Sequence, residues 1–351
     1  MYFSEFNLLK KLSGPVLITG HTGFKGTWLT LMLESLGVQT CGYSLPAEVN
    51  SLYQITNRIN KIEEQFSDIR DFESLNDFIK KIKPSIVIHF AAQPLVLESY
   101  VNPKLTFETN VLGTVNILEA SFRSDSMQIV LASTTDKVYK NTNSNKKFSE
   151  DDQLEGNDPY SASKVAAESA IKAWQKIRLD SSSPIVLAAR SGNVVGGGDF
   201  SKNRLIPDLV RGFSSNETVY IRNPGSTRPW QHVTDSLYGY LRYIEESLIK
   251  PNHDALNFGP IGKSKSVQEV VEIAQETWGG TTNVKYQNNT SKKESSLLDL
   301  DPSLAISTLK WQPYLTQEQA VVSSMVWWKK LLIEKVSAID CCVADIKNLI
   351  R

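Results

Sequence analysis

Short unbroken runs of Val, Ile and Leu recur along the first half of the chain. Between them the apolar positions are spaced as on one face of a helix. Val16-Leu17-Ile18 predicts a strand, and Trp28-Leu29, Leu31-Met32-Leu33 and Leu36 predict the helix after it, ending at Gly37. Further strands are predicted over 38–43, 85–90 (SIVIHF), 128–132 (QIVLA) and 184–190 (PIVLAAR). Strands apolar on both faces and separated by helices fit a parallel sheet covered on two sides, a doubly wound α/β fold. Beyond residue 192 the texture changes to glycine, proline and polar loops such as GNVVGGGDF and RNPGSTRPW, with one late apolar strand at 255–258. The expected organisation is a sheet domain over 1–192, also taking in about 229–259, and a smaller domain made mainly of 193–351.

Composition narrows the partners. With 351 residues, 41% hydrophobic and 22% charged, the chain is an ordinary globular sequence with ample core. Its 38 basic and 38 acidic residues cancel, which argues against nucleic acid or a membrane surface held by bulk charge. No apolar run approaches the ~20 residues of a membrane span. Three cysteines, two of them adjacent, and four scattered histidines build neither a disulfide framework nor a metal site. A reduced, metal-free cytoplasmic protein is expected.

Directly after the first strand stands Thr19-Gly20-His21-Thr22-Gly23-Phe24-Lys25-Gly26, with a helix following at once. Gly20 permits the tight turn, Gly23 lets a pyrophosphate approach the backbone, and Gly26 lets helix and strand pack closely. The helix start offers amide donors to the phosphates. Its place between the first strand and the first helix predicts the turn of a Rossmann dinucleotide site. The second strand ends Cys41-Gly42-Tyr43-Ser44 without the carboxylate that would bind a ribose 2′-hydroxyl, so spacing leaves NAD and NADP both open.

Tyr160 and Lys164 are four residues apart in a run of helix formers and so share one helical face. An ammonium beside a phenol is expected to lower the phenol's pKa toward the range of a general base. The strand at 128–132 ends in Ser133-Thr134-Thr135-Asp136-Lys137, at the carboxyl edge where open α/β sheets bind their ligands.

These segments, with HFAAQPLV, FETNVLGTVNILEA, RSGNVVGGGDF, RLIPD and RPWQHV, resemble the extended branch of the short-chain dehydrogenase/reductase superfamily. Within it the chain is similar to the CDP-glucose 4,6-dehydratases, and the likeness runs over essentially its whole length. Thr-Asp-Lys at 135–137, where the dTDP-sugar relatives carry Thr-Asp-Glu, marks the CDP-sugar group.

The resemblance implies NAD as cofactor and a nucleotide sugar as substrate. Hydride would leave C4 and return at C6, converting CDP-D-glucose to CDP-4-dehydro-6-deoxy-D-glucose plus water. Tyr160 would take the C4 hydroxyl proton, with Lys164 holding the nicotinamide ribose and Thr135 bonding the same oxygen. Asp136 would serve as acid at C6 and Lys137 as base at C5. It further implies that Gly20, Thr22, Gly23, Phe24, Lys25 and Gly26 line the pyrophosphate and Asp68 and Ile69 the adenine. Ala91, Ala92, Gln93 and Asn110 would follow the cofactor inward. Gln93, Asn193, Arg204, Leu205, Arg228 and Asn257 are the implied sugar-nucleotide contacts. A homodimer through helices at about 104–121 and 160–178 is implied as well. One departure stands out: Leu97 replaces the arginine of the family's Gln-Pro-Leu-Val-Arg, which leaves the nucleotide and hexose open. The alternatives are an epimerase, a reductase or a dehydratase of another nucleotide sugar, and, further off, a non-catalytic dinucleotide sensor.

Overall fold

The computed structural model describes residues 6–143, 146–177, 183–251, 253–280, 282–287 and 297–349. Seven parallel strands form the central sheet. In chain order they begin β1 (Val16–Thr19), β2 (Thr40–Ser44), β3 (Glu63–Phe66), β4 (Ile86–His89), β5 (Ile129–Thr135) and β6 (Ile185–Ser191). Short strands follow at β7 (Asn193–Val195), β8 (Val219–Arg222), β9 (Thr227–Arg228) and β10 (Trp230–His232); β11 (Ala255–Phe258) then returns to the sheet. The sheet order is β11-β6-β5-β4-β1-β2-β3. The direction of winding reverses between β1 and β4, which opens a crevice at their carboxyl ends.

Alternation along each strand divides the core. Val16 and Ile18 of β1 pack on one face and Leu17 on the other, and β5 splits Ile129 and Leu131 from Val130 and Ala132 in the same way. The helices begin with α1 (Phe24–Leu36), α2 (Leu52–Ile55), α3 (Phe72–Ile82), α4 (Val96–Val101) and α5 (Pro103–Phe107). A π-helical turn over Glu108–Leu112 joins α5 to α6 (Gly113–Phe122), and α7 (Pro159–Ile177) follows. The β1 side of Val16 and Ile18 is covered by α1 together with α9 (Val233–Ile249), and α8 (Leu205–Ser215) joins the same apolar cluster further out; α3, α6 and α7 supply the opposite face. The first face extends into α10 (Val267–Trp278), α11 (Ser303–Leu309), α12 (Gln317–Leu332) and α13 (Ala338–Leu349). α1 is buried on nearly every side and stops where Gly37 turns left-handed (φ 72°), donating to Glu34 and Leu33 carbonyls.

Two features position the site. β5 runs three residues past the end of β4: its pairing with β4 stops at His89↔Ala132, whereas pairing with β6 continues to Thr135↔Ser191. Ser133, Thr134 and Thr135 therefore stand at the rim of the crevice. The second is the start of α7, where Asp158 accepts from the Ser161 amide (2.9 Å) and hydroxyl (2.7 Å) and Pro159 opens the helix. The next residue, Tyr160, is thereby set at the helix mouth. Among the described residues no helix is long and apolar enough to cross a membrane.

Candidate active site

A cavity of about 1430 Å³ runs along the carboxyl edge of the sheet, from Asp68 past the glycine turn to Tyr160 and on to Arg228. At the glycine turn the backbone itself forms the wall. Gly20 has φ 72°, and a Cβ there would come within 2.8 Å of the Ala91 amide nitrogen. A Cβ on Gly26 would sit 2.2 Å from the Gly20 carbonyl oxygen, so α1 can close on the turn only without a side chain. Gly23, Phe24 and the Gly26 backbone line the opening. These residues fit a dinucleotide: bare amides at a helix start, a glycine-only approach and a cavity long enough to lead from there to the sheet tip.

Around that turn the expected side chains divide. Thr22 lines the cavity, but its hydroxyl bonds Ser44 (2.8 Å) and the Leu45 carbonyl (3.0 Å), anchoring the turn to β2. Lys25 sends its ammonium to the far side of the cavity floor. It donates to Ser191 Oγ (3.1 Å) and Tyr240 Oη (2.9 Å) and lies 4.8 Å from the Tyr240 ring centroid. Asp68 is paired with Arg70 (2.8 Å), whose guanidinium holds the carboxyl below its ordinary range. Ile69 packs where a Cβ on Gly113 would meet it at 2.7 Å. Ala91, Ala92 and Gln93 line the middle of the cavity, and Gln93's side chain braces its own loop through Leu95 and Thr106. Asn110 is among the predicted residues that do not line it. It lies behind, accepting from the Gln93 amide (2.8 Å) and donating to Ser163 (2.9 Å), and so clips that loop to α7.

At the sheet tip Thr135, Lys137, Tyr160 and Lys164 face one cavity. Thr135 Oγ1 donates to Asp136 Oδ1 (3.0 Å), and Lys137 Nζ reaches the same oxygen at 3.0 Å and Asn193 Oδ1 at 3.4 Å. Asp136 is fully buried, and its Oδ2 has no hydrogen-bond partner among the described residues. The Lys137 ammonium is therefore turned inward. The expectation for Tyr160 reverses in sign. Burial, helped by the Asp136 and Asp158 charges, pushes its phenol up to about 12 against a hydrogen bond with Thr135 and the Arg204 charge. Lys164 donates to the Ser133 carbonyl (3.4 Å). Burial and then the like charge of Lys25 bring it down to about 8, opposed by Glu168.

Asn193, Arg204, Leu205 and Arg228 line the outer part of the cavity. Arg204 pairs with Asp199 (3.0 Å), and Arg228 is buried, donating to the Thr227 carbonyl (2.8 Å). Asn257 is displaced from its expected place. Fully buried on β11, it accepts from Tyr139 Oη (2.6 Å) and donates to the Phe148 (2.9 Å) and Asp301 (3.3 Å) carbonyls, so its amide faces the interior. Arg222 and Tyr220 on β8 line the cavity without having been singled out, because alternate exposed positions of an edge strand look like solvent-facing residues. Among the described residues no group of three or more His, Cys, Asp or Glu could hold a metal ion.

A family model described as GDP-mannose 4,6 dehydratase matches residues 17–324. A CDP-glucose 4,6-dehydratase from Salmonella typhimurium is 38% identical over 347 residues, covering 95% of this chain and 95% of that protein. A dTDP-glucose 4,6-dehydratase from Xanthomonas campestris is 24% identical, covering 89% of this chain and 92% of the other. Among solved structures, the dTDP-glucose 4,6-dehydratase from Bacillus anthracis in complex with NAD has a TM-score of 0.76 at 24% identity, covering 91% of this chain and 97% of that one. The UDP-glucose 4-epimerase from Thermotoga maritima with UDP-glucose has a TM-score of 0.80 at 20% identity, covering 91% and 99%. Dehydratases and epimerases thus share this fold.

Proposed function

The chain belongs to the GDP-mannose 4,6-dehydratase family, and from that premise we propose that it is an NAD-dependent nucleotide-sugar 4,6-dehydratase acting on CDP-D-glucose. The observation that carries the reading is Lys137 facing the same cavity as Tyr160 and ion-paired at 3.0 Å with Asp136, which is buried directly behind it. An epimerase or reductase has no use for an acid and a base beside a C5–C6 bond. The nucleotide follows from the 38% identical relative and from Thr-Asp-Lys at 135–137.

Bound NAD would supply the hydride acceptor for C4 and the donor for C6, and its cationic ring would add positive charge to the cavity. Gly20, Gly23, Phe24 and Gly26 would hold the pyrophosphate, Asp68 and Ile69 the adenine end, and Ala91 to Gln93 the passage inward. Tyr160 would take the C4 hydroxyl proton, with Thr135 bonding the same oxygen. Burial opposes the phenolate, the Thr135 hydrogen bond and the Arg204 charge favour it, and the Lys164 ammonium one turn away would add to them. The 4-ketone acidifies C5–H. A single proton serves the elimination: moved from Lys137 Nζ to Asp136 Oδ1, it leaves an amine to take the C5 proton and a carboxylic acid to protonate the departing C6 hydroxyl. Loss of water then restores the starting ion pair, so no net proton enters or leaves. Asn193, Arg204, Leu205 and Arg228 would hold the sugar diphosphate, arginine forks suiting two phosphate oxygens at once.

The test is CDP-glucose deuterated at C4, turned over in ordinary water. Label at C6 of a 4-keto-6-deoxy product, without net reduced cofactor, is expected. Unlabelled C6, or no turnover of CDP-, dTDP-, GDP- or UDP-glucose, would sink the assignment. The UDP, dTDP and GDP arms decide what Leu97 does to base choice.

The domain division at 192, with 229–259 belonging to the sheet and most of 193–351 to the sugar, belongs to the same proposal, as does a cytoplasmic setting. So does a homodimer through 104–121 and 160–178, of which residue 178 lies outside the described residues. It is supported by exposed apolar residues along those helices, Leu105, Phe107 and Leu112, and by the partly open small face Ala162, Ala166 and Ala170 of α7. Sedimentation of Leu112→Lys should give monomer where the unaltered chain gives dimer; an unaltered chain that is already monomeric removes the idea.

A further inference from the structure

Behind the cavity, the strand tip bearing Thr135 to Lys137 and the helix bearing Tyr160 and Lys164 are joined by a buried ion pair. Glu168, one turn beyond Lys164, takes two bonds from Arg190 of β6: Nε to Oε1 and Nη2 to Oε2, both 2.9 Å. Its Oε1 also accepts the hydroxyl of Thr134, the residue before Thr135, at 2.6 Å. The remaining Nη1 of Arg190 donates to Tyr139 Oη (3.0 Å) and the Glu150 carbonyl (3.2 Å). Tyr139 passes the chain on to Asn257, whose backbone N–H donates to Glu150 Oε1 at 2.7 Å. One pair thus ties α7, β5, β6 and β11 together.

A buried ion pair is a poor source of net stability, because desolvating both charges offsets their attraction. Its place one turn from Lys164 gives it another use. Resting on the assignment of Tyr160 and Lys164 to the proton chemistry, we propose that Glu168 is a positioning residue for Lys164. Its carboxylate, fixed by Arg190 and Thr134, keeps the ammonium protonated in a site that otherwise expels the charge. Around Lys164 stand Lys25 of α1, itself bonded to Tyr240 of α9, His89 of β4, and on its own helix Tyr160 and Glu168, the latter paired with Arg190 of β6. Burial pushes His89 down to about 3, with the Lys164 charge adding to it, so at working pH it is neutral. Lys25 repels the ammonium, and the Glu168 carboxylate favours it.

The experiment uses the full chain carrying lysine labelled with ¹³C at Cε, without substrate, the Lys164 signal being identified by its loss in Lys164→Met. Glu168→Gln is expected to lower the Lys164 titration midpoint by about one pH unit or more, tenfold in proton affinity, as removal of an adjacent opposite charge does. The alkaline limb of kcat/KM should move down with it. Glu168→Gln combined with Arg190→Met leaves no unpaired buried charge, so it gives a reading even where the single variant fails to fold; there a smaller fall is expected. A midpoint unmoved in the double variant overturns the proposal, whatever the loss of stability. A chain in which the midpoint shifts but no nucleotide hexose is turned over supports the link to Lys164 and defeats the dehydratase reading instead.

Discussion

Tyr160 and Lys137 approach one cavity from a helix mouth and a strand end, and in the proposed reaction they act on neighbouring carbons of one ring. Removing each should stall a different step. Tyr160→Phe deletes the proton acceptor for C4 and should cut turnover by roughly 10²–10⁴-fold, with no reduced nicotinamide formed. Lys137→Met spares C4 oxidation and blocks removal of the C5 proton. It should lose a similar factor in turnover while enzyme-bound reduced nicotinamide accumulates, visible by its near-ultraviolet absorbance. If Lys137→Met turns over normally, the C5 base lies elsewhere. Asp136 is closed off from solvent, so its acid role depends on the proton it shares with Lys137 over 3.0 Å.

The turn between β1 and α1 works because three glycines let backbone meet backbone. Gly26 and Gly37 make a controlled comparison within one helix. A methyl at Gly26 would press on the Gly20 carbonyl (2.2 Å) and His21 Cα (2.6 Å), neither of which can swing aside. Gly37 is left-handed but has open space around it. Gly37→Ala should therefore cost only about 1–2 kcal/mol from backbone strain. Gly26→Ala should cost about 1–3 kcal/mol from overpacking and should also weaken NAD binding. Urea unfolding with and without NAD separates the two; equal loss of NAD affinity in both would contradict the role given to the turn. The same element logic explains Asn110: from the π-helical turn it holds the Gln93 loop to α7, setting the cavity wall without lining it.

Acid and base stability of the whole molecule rests on titratable groups buried in the core. Burial brings His89 down to about 3 and His232 to about 4. Each therefore favours the folded state fully above pH ~6.5 and gives up that contribution as pH falls through the folded value. Burial raises Asp235 and Asp345 to about 7, so their contribution is full below pH ~4 and is lost as pH rises through 7. The two pairs oppose each other between pH ~4 and ~6.5, and the fold should show little net slope there. Asp345, on α13 and 3.9 Å from His232, isolates one side of this balance. Asp345→Asn should gain stability relative to the parent as pH climbs from about 4.5 to about 8, by about 3 kcal/mol. A difference in melting temperature that stays flat over that range would show the carboxyl to be ionised throughout.

What the sequence determined by itself is what local chemistry specifies. Apolar runs on both faces of short strands required a covered parallel sheet. The glycine spacing required a backbone cradle ahead of a helix, and four-residue spacing put Tyr160 and Lys164 on one face. β3 (EEQF) escaped because a polar edge strand lacks the apolar run that marks the buried ones. The three rim residues of β5 escaped because Ser and Thr look like a turn until β6 pairs with them. The tertiary structure alone decided where Lys25 sends its charge, why burial drives Tyr160's phenol upward, and that Asn257 braces the interior through Tyr139, 118 residues away in sequence. Each of these depends on desolvation and on partners distant along the chain, and neither is written in the spacing of neighbouring residues.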